Sequence, residues 1–202
     1  MLIRPPKLIR RLAPSLIWDM EGEKDVFITF DDGPTPGNTE WIIDTLAKYD
    51  AKATFFCLGK NAEQHPETFR RIIDAGHAVG NHTYSHQKGW GMSVRRYVED
   101  VDFAAQFIPG QLLRPPYGRI TPAQARVLSA RYTLIMWNVL SRDYNRFLSP
   151  EKCLLNVTKH VGPGSIVVFH DSPKSSRNMR YALPRTLEFL ADRGLRCSAI
   201  EP

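Results

Sequence analysis

Short runs of β-branched and aromatic residues recur along this chain with helical patterns between them, and that alternation constrains the fold more than any other feature. The runs fall at residues 26–30, 53–57, 78–81, 112–114, 133–137, 165–169 and 196–200. Helical patterns fill 39–49, 66–75, 93–107, 121–130, 150–161 and 181–193, with start signals such as Thr121-Pro122 and Ser149-Pro150-Glu151. Strands alternating with helices pair in parallel through right-handed crossovers, which leaves an open doubly wound sheet or a closed barrel. About seven strands in one domain, with no Gly-rich phosphate loop after the first, favour an α/β barrel.

Composition narrows the class further. A hydrophobic content of 43% over 202 residues supports one sizeable core and excludes a disordered or collagen-like chain. No apolar run approaches the roughly 18 residues that cross a bilayer. Residues 1–20 form a basic N-terminal segment carrying Arg4, Lys7, Arg10 and Arg11 without a continuous apolar stretch. It therefore reads as a packing or capping segment and not as a signal peptide. Cys57, Cys153 and Cys197 have no metal-ligand spacing and read as free thiols, so the expected location is cytoplasmic or peripheral. The formal charge of +6 is mild, and the basic residues accompany acids without a series of stacking aromatics, which disfavours nucleic acid.

The chemistry-bearing residues sit where strands end, the place at which parallel α/β folds gather their functional groups. Asp31-Asp32-Gly33-Pro34 follows the first run, Asn81, His82 and His86 follow the third, Arg114 ends the fourth, Asp143 lies beyond the fifth, and His170-Asp171 follows the sixth. Asp-Asp-Gly-Pro alone is an ordinary turn. Two adjacent carboxylates beside a His-x-x-x-His pair are better reconciled by a divalent cation, with one carboxylate completing a two-His, one-Asp set that leaves positions open. Zinc suits those ligands and lowers the pKa of a bound water toward about 7. Pro115-Pro116 stiffens the backbone after Arg114 and argues for a specified guanidinium position. His65 and His160 read as surface residues, and His77 after Gly76 as part of a helix C-cap.

Thr29-Phe30-Asp31-Asp32-Gly33-Pro34, Asn81-His82-Thr83-Tyr84-Ser85-His86, Arg114-Pro115-Pro116-Tyr117-Gly118 and Val168-Phe169-His170-Asp171 resemble, in order, the motifs of the NodB-homology polysaccharide deacetylases, carbohydrate esterase family 4. The resemblance implies a deformed (β/α) barrel over residues 21–202 and metal-dependent removal of N- or O-acetyl groups from a sugar, with metal-bound water as nucleophile. Carried over by position, it makes Asp32, His82 and His86 the metal ligands, with zinc expected and Co, Ni or Mn as substitutes. It makes Asp31 the general base, Arg114 the residue orienting that base, the Tyr117 N–H an oxyanion donor and His170 the general acid.

One motif departs from the family pattern Asp-x-x-Asp-Trp, reading Leu140-Ser141-Arg142-Asp143-Tyr144. The resemblance gives the first position, here Leu140, the task of tuning the catalytic histidine. Asp143 then either substitutes for it or pairs with Arg142 or Arg119, while Tyr144 and Val168 wall an acetyl pocket. Arg119, Arg142, Arg146, Lys174, Arg177 and Arg180 all follow strand ends and suggest an acetylated amino sugar or polysaccharide that is anionic near its acetyl group. Two alternatives stay open: a metal-binding, carbohydrate-binding pseudoenzyme, and an amidohydrolase of small non-sugar amides. The oligomeric state has no signature in the sequence.

Overall fold

A computed structural model describes residues 3–4 and 13–201. Nine strands form one sheet: β1 Leu16–Ile17, β2 Asp25–Asp31, β3 Thr54–Cys57, β4 Ala78–Asn81, β5 Leu112–Leu113, β6 Thr133–Ile135, β7 Val139–Leu140, β8 Ile166–His170 and β9 Arg196–Cys197. Their spatial order is β1-β6-β5-β4-β3-β2-β8-β7, with β9 beside the start of β2, and every named pair is parallel. The sheet curls into the expected deformed barrel, with β1 and β7 at the two ends of its pairing path. The Leu140 N–H at one end bonds the Ile3 carbonyl at 3.0 Å.

Two strands exceed the expected seven. β1 and β7 are two residues long, too short to show a period of two, and β1 lies within the basic segment 1–20, pairing Leu16 with Leu134. The remaining positions of that segment, apart from 3–4 and 13–20, lie outside the described residues.

Seven helices are described: α1 Asn38–Ala47, α2 Gly59–Gln64, α3 Pro66–Asp74, α4 Val94–Ala104, α5 Pro122–Leu128, α6 Pro150–Thr158 and α7 Ser176–Ala191. Ser93, Thr121 and Ser149 cap α4, α5 and α6 with their hydroxyls, and Gln124 completes a capping box on α5. At the end of α3 the Gly76 N–H bonds Ile73 and the His77 N–H bonds Ile72, with Gly76 at φ 74°. His77 thus closes the helix as expected. Its ring turns inward, accepting the Ala53 N–H at 3.3 Å and packing on Phe55. α7 starts five residues before the expected Tyr181 and runs through Pro184, because its first turns are buried by Asn178 and Met179.

Strand residues alternate between two apolar layers. On β2, Val26, Ile28 and Phe30 face the outer layer with α1, α3, α6 and α7, while Phe27 joins the inner layer with Phe56, Trp137, Ile166 and Val168. Thr29 and Asp31 continue the inward face of β2 and meet Arg114. Among the described residues no helix is long and apolar enough to cross a membrane. All three cysteines are free, with Cys57 and Cys153 buried.

Candidate active site

Register brings the first two functional groups together. β2 pairs with β8 so that Asp31 stands opposite His170, and the Asp171 N–H bonds the Asp31 carbonyl at 3.2 Å. On the other flank Asn81 aligns with Cys57 and Leu113, and the Arg114 N–H bonds the Asn81 carbonyl. The strand ends therefore converge on one cavity of about 120 Å³, lined by Asp31, Asp32, His82, His86, Tyr117, Trp137, Leu140, Tyr144, Val168, His170 and Lys174.

Three of these residues bring donor atoms close enough together to hold one metal ion. Asp32 Oδ1 lies 3.1 Å from His86 Nε2 and 3.9 Å from His82 Nε2, and the three donor atoms fall within 4.8 Å of one another. His82 Nδ1 is 2.7 Å from the Arg114 carbonyl, a contact that places a proton on Nδ1 and leaves the Nε2 lone pair for an ion. Burial, only partly opposed by Asp31, lowers the His82 pKa to about 4, so the ring is neutral at pH 7, as a ligand must be. Burial would raise Asp32, but the hydrogen bond from His86 and the charges of His170 and His82 hold it well below the usual carboxylate range. This donor chemistry fits a small divalent cation.

Two charged pairs flank the set. Arg114 is closed to solvent and lies 4.0 Å over the Phe56 ring. It donates to Asp31 Oδ1 and Thr29 Oγ1, each at 2.7 Å, and to the Met136 carbonyl at 2.9 Å. With its Nε donating to the Ile135 carbonyl at 3.4 Å, the guanidinium reaches four partners whose positions are set by β2 and the end of β6. Asp143, also closed to solvent, grips His170 twice, through Nδ1 at 2.8 Å and the backbone N–H at 2.7 Å. Burial lowers the His170 pKa, yet Asp143, by charge and hydrogen bond, with Asp32 and Asp31 adding, raises it to about 9.

Of the two readings left open for Asp143, the contacts give the pairing with the histidine. The partner of His170 is Asp143, the second carboxylate position, and Asp143 does not pair with Arg142 or Arg119. Leu140 lies in the cavity wall instead. Tyr144 meets the His170 ring edge-on at 5.0 Å between centroids. Tyr117 takes a left-handed φ of 59° within the short 3₁₀ turn Pro116–Gly118, its ring 4.7 Å from that of His86. Gly118 follows at φ 64°, packed so closely on Trp137 that a Cβ there would clash.

All ten residues singled out in the sequence lie at or directly behind this cavity. Sequence reasoning missed Trp137, which it read as the end of a strand, and placed Lys174 on the rim although its Nζ sits 3.7 Å from Asp32 Oδ2. The rest of the basic rim is partly engaged. Arg119 stacks on Trp90, Arg146 on Phe147, and Arg180 is bound to Gly37 and Asn38.

Comparison with known proteins agrees with this geometry. A family model described as polysaccharide deacetylase matches residues 19–133. A peptidoglycan-N-acetylglucosamine deacetylase of Bacillus cereus is 31% identical over 200 residues, 94% of this chain and 93% of that protein. Another of the same name and species is 34% identical over 157 residues, 74% of this chain, which spans only 56% of that relative's length. The fold superposes with a TM-score of 0.86 and 28% identity on a peptidoglycan N-acetylglucosamine deacetylase crystallised with 4-naphthalen-1-yl-N-oxidanyl-benzamide, covering 97% of this chain and 95% of that one.

Proposed function

The chain belongs to the polysaccharide deacetylase family, and from that premise we propose that it is a metal-dependent hydrolase removing acetyl groups from an amino-sugar polymer, with zinc as its metal. One observation carries the reading. Asp31, held by Arg114, and His170, held by Asp143, line the same cavity as the Asp32–His82–His86 set.

Asp32, His82 and His86 would hold the cation, which supplies Lewis-acid polarisation of the acetyl carbonyl and acidifies water. Asp31, whose Oδ1 is held by Arg114, takes the proton of the attacking water at its other oxygen. The Tyr117 N–H, fixed by the left-handed turn, donates to the oxyanion, and the positive φ is the kind of strain that a rigid donor site retains. His170 has Nδ1 occupied by Asp143, so Nε2 delivers the proton to the departing amine or alkoxide. Trp137, Leu140, Tyr144 and Val168 enclose the acetyl methyl. A cavity of about 120 Å³ accommodates an acetyl group and leaves the sugar at the rim.

Lys174 lines the same cavity and supports an anionic group beside the acetyl, such as a carboxylate or phosphate on the glycan. Acetate release from N-acetylated chito-oligosaccharides and from peptidoglycan, with and without chelator, tests the reading. We expect release that chelation abolishes and zinc restores, with a lower KM for the anionic polymer. No release from either substrate by zinc-loaded protein would overturn it and favour a binding module.

A further inference from the structure

The turn bearing the two carboxylates holds a conformation that its own sequence resists. Asp32 has a φ of 82°, a left-handed backbone that costs a non-glycine residue about 1–3 kcal/mol and persists only where the surroundings over-determine it. Three consecutive carbonyls there are taken from two sides, by the residue after β8 and by α2 with its N-cap Leu58. Asp31 O accepts from the Asp171 N–H at 3.2 Å, Asp32 O from the Asn61 side-chain amide at 2.7 Å, and Gly33 O from the Leu58 N–H at 2.8 Å.

Asn61 stands on α2, and the same short helix grips the loop carrying the histidines. The Gly59 N–H bonds Thr83 O at 3.0 Å and the Lys60 N–H bonds Tyr84 O at 3.3 Å, between His82 and His86. Gly59 also packs so tightly on Ala104 and Tyr84 that a Cβ would force them apart. From the far side the carboxylate of Asp171, closed to solvent, takes the Thr39 hydroxyl at 2.6 Å and rests against Gly33, where a Cβ would overlap it. The Asp32 turn is thus clamped between α2 and Asp171, and α2 fixes its distance from the histidines.

We propose that Asn61 and Asp171 are positioning residues that set the affinity of the Asp32–His82–His86 site for its cation, an inference that rests on the metal-dependent reading above. Neither residue touches the ion; each holds the backbone from which Asp32 projects. Partners behind metal ligands typically contribute about 10–100-fold in affinity.

The test titrates zinc into metal-free full-length protein against a competing chelator and records the melting temperature of the metal-free form. Wild type should bind one equivalent, and Asn61→Ala and Asp171→Ala should raise the zinc Kd by about 10–100-fold while remaining folded. Asp171→Asn, which keeps the bond from Thr39 and the packing on Gly33, should return the Kd toward that of wild type. If Asn61→Ala does not fold, Asn61→Ser, smaller and polar, carries the same comparison. A wild type that binds zinc beside folded alanine variants of unchanged Kd overturns this proposal alone. A merely structural role would do the same by lowering melting temperature without moving the Kd. A wild type that binds no zinc overturns the metal reading and this inference with it.

Discussion

Replacing Asp143 by asparagine keeps size and shape while removing the charge that pairs with His170. The carbonyl of the amide can still accept the His170 backbone N–H, now made to Asp143 at 2.7 Å, so the fold should survive. With Asp143 present the imidazole is raised to about 9, and removing that charge should return the ring toward the ordinary 6.5, burial then opposing the charges of Asp32 and Asp31 that remain. That difference corresponds to about 3 kcal/mol between the two protonation states. With a full return to 6.5 the protonated fraction at pH 8 would fall from about 0.9 to about 0.03, so a general-acid step should slow by up to about 30-fold. The comparison is internal, because any cation bound at Asp32 acts on wild type and variant alike. The assay is kcat/KM for an N-acetylated oligosaccharide from pH 5 to 10, beside an aryl acetate whose leaving group needs no proton. In wild type the alkaline limb should reflect His170 losing its proton, and in the variant that limb should move to lower pH by up to about two units. The aryl acetate should lose little. An alkaline limb that stays in place, or an equal loss on both substrates, would refute the assignment of Asp143 as the group that keeps His170 charged.

Three further outcomes follow from the same geometry. Asp31→Asn should retain zinc stoichiometry and lose about 10²–10⁴-fold in kcat, since the base moves a proton and does not ligate; loss of zinc in this variant would exchange the roles of Asp31 and Asp32. Arg114→Met leaves Asp31 in a closed environment without its counter-charge, at a cost of about 3–5 kcal/mol. The melting temperature should drop by on the order of 10 °C, and a change within error would show the pair to be dispensable. His77 carries a pKa lowered to about 4 by burial, with Lys52 adding, so the unfolded chain binds more protons between about 4 and 6.5. Its contribution is complete above pH 6.5 and lost as pH falls toward 4. His77→Gln should therefore shrink the fall in urea midpoint between pH 8 and pH 5, a fall to which this histidine contributes about 2 kcal/mol. An identical fall in the variant would remove His77 as the cause.

What was legible in the sequence follows the reach of each interaction. The barrel could be read because short β-branched and aromatic runs alternate with helical patterns along the chain, a signal carried by each element on its own. Asp31, Asp32, His82, His86, Arg114 and His170 were legible because each sits at a strand end beside a turn-forming neighbour. The pairing of Asp143 with His170 was legible only as one of two alternatives, since it joins the loop after β7 to β8 with no spacing rule and Arg142 and Arg119 offered other partners. Helix α2 escaped because six residues with two buried positions, Gly59 and Ala62, carry no apolar period. Its function as a clamp depends on backbone groups that every residue owns. Trp137 escaped because an aromatic at a strand end ordinarily belongs to the core, and only the curl of the sheet opens that position onto the cavity.

Asp31 and His170 occupy the same rung of the β2–β8 ladder, while Trp90, Phe147 and Lys174 stand on connections beyond the strands. The spacing of the proposed acid and base is thereby set by backbone hydrogen bonding and not by loop conformation, and sites carried on strands hold geometry more tightly than sites carried on loops. The connections at 82–93, 141–149 and 171–175 differ in their freedom to change. Their inner residues are tied to the catalytic pairs, and their outer residues answer to whatever glycan lies across the mouth. For an engineer this chain is therefore a fixed hydrolytic core with an exchangeable collar. Substrate preference should be recast by grafting the outer positions, Trp90, Arg146 and Phe147 first, without retuning the chemistry beneath them.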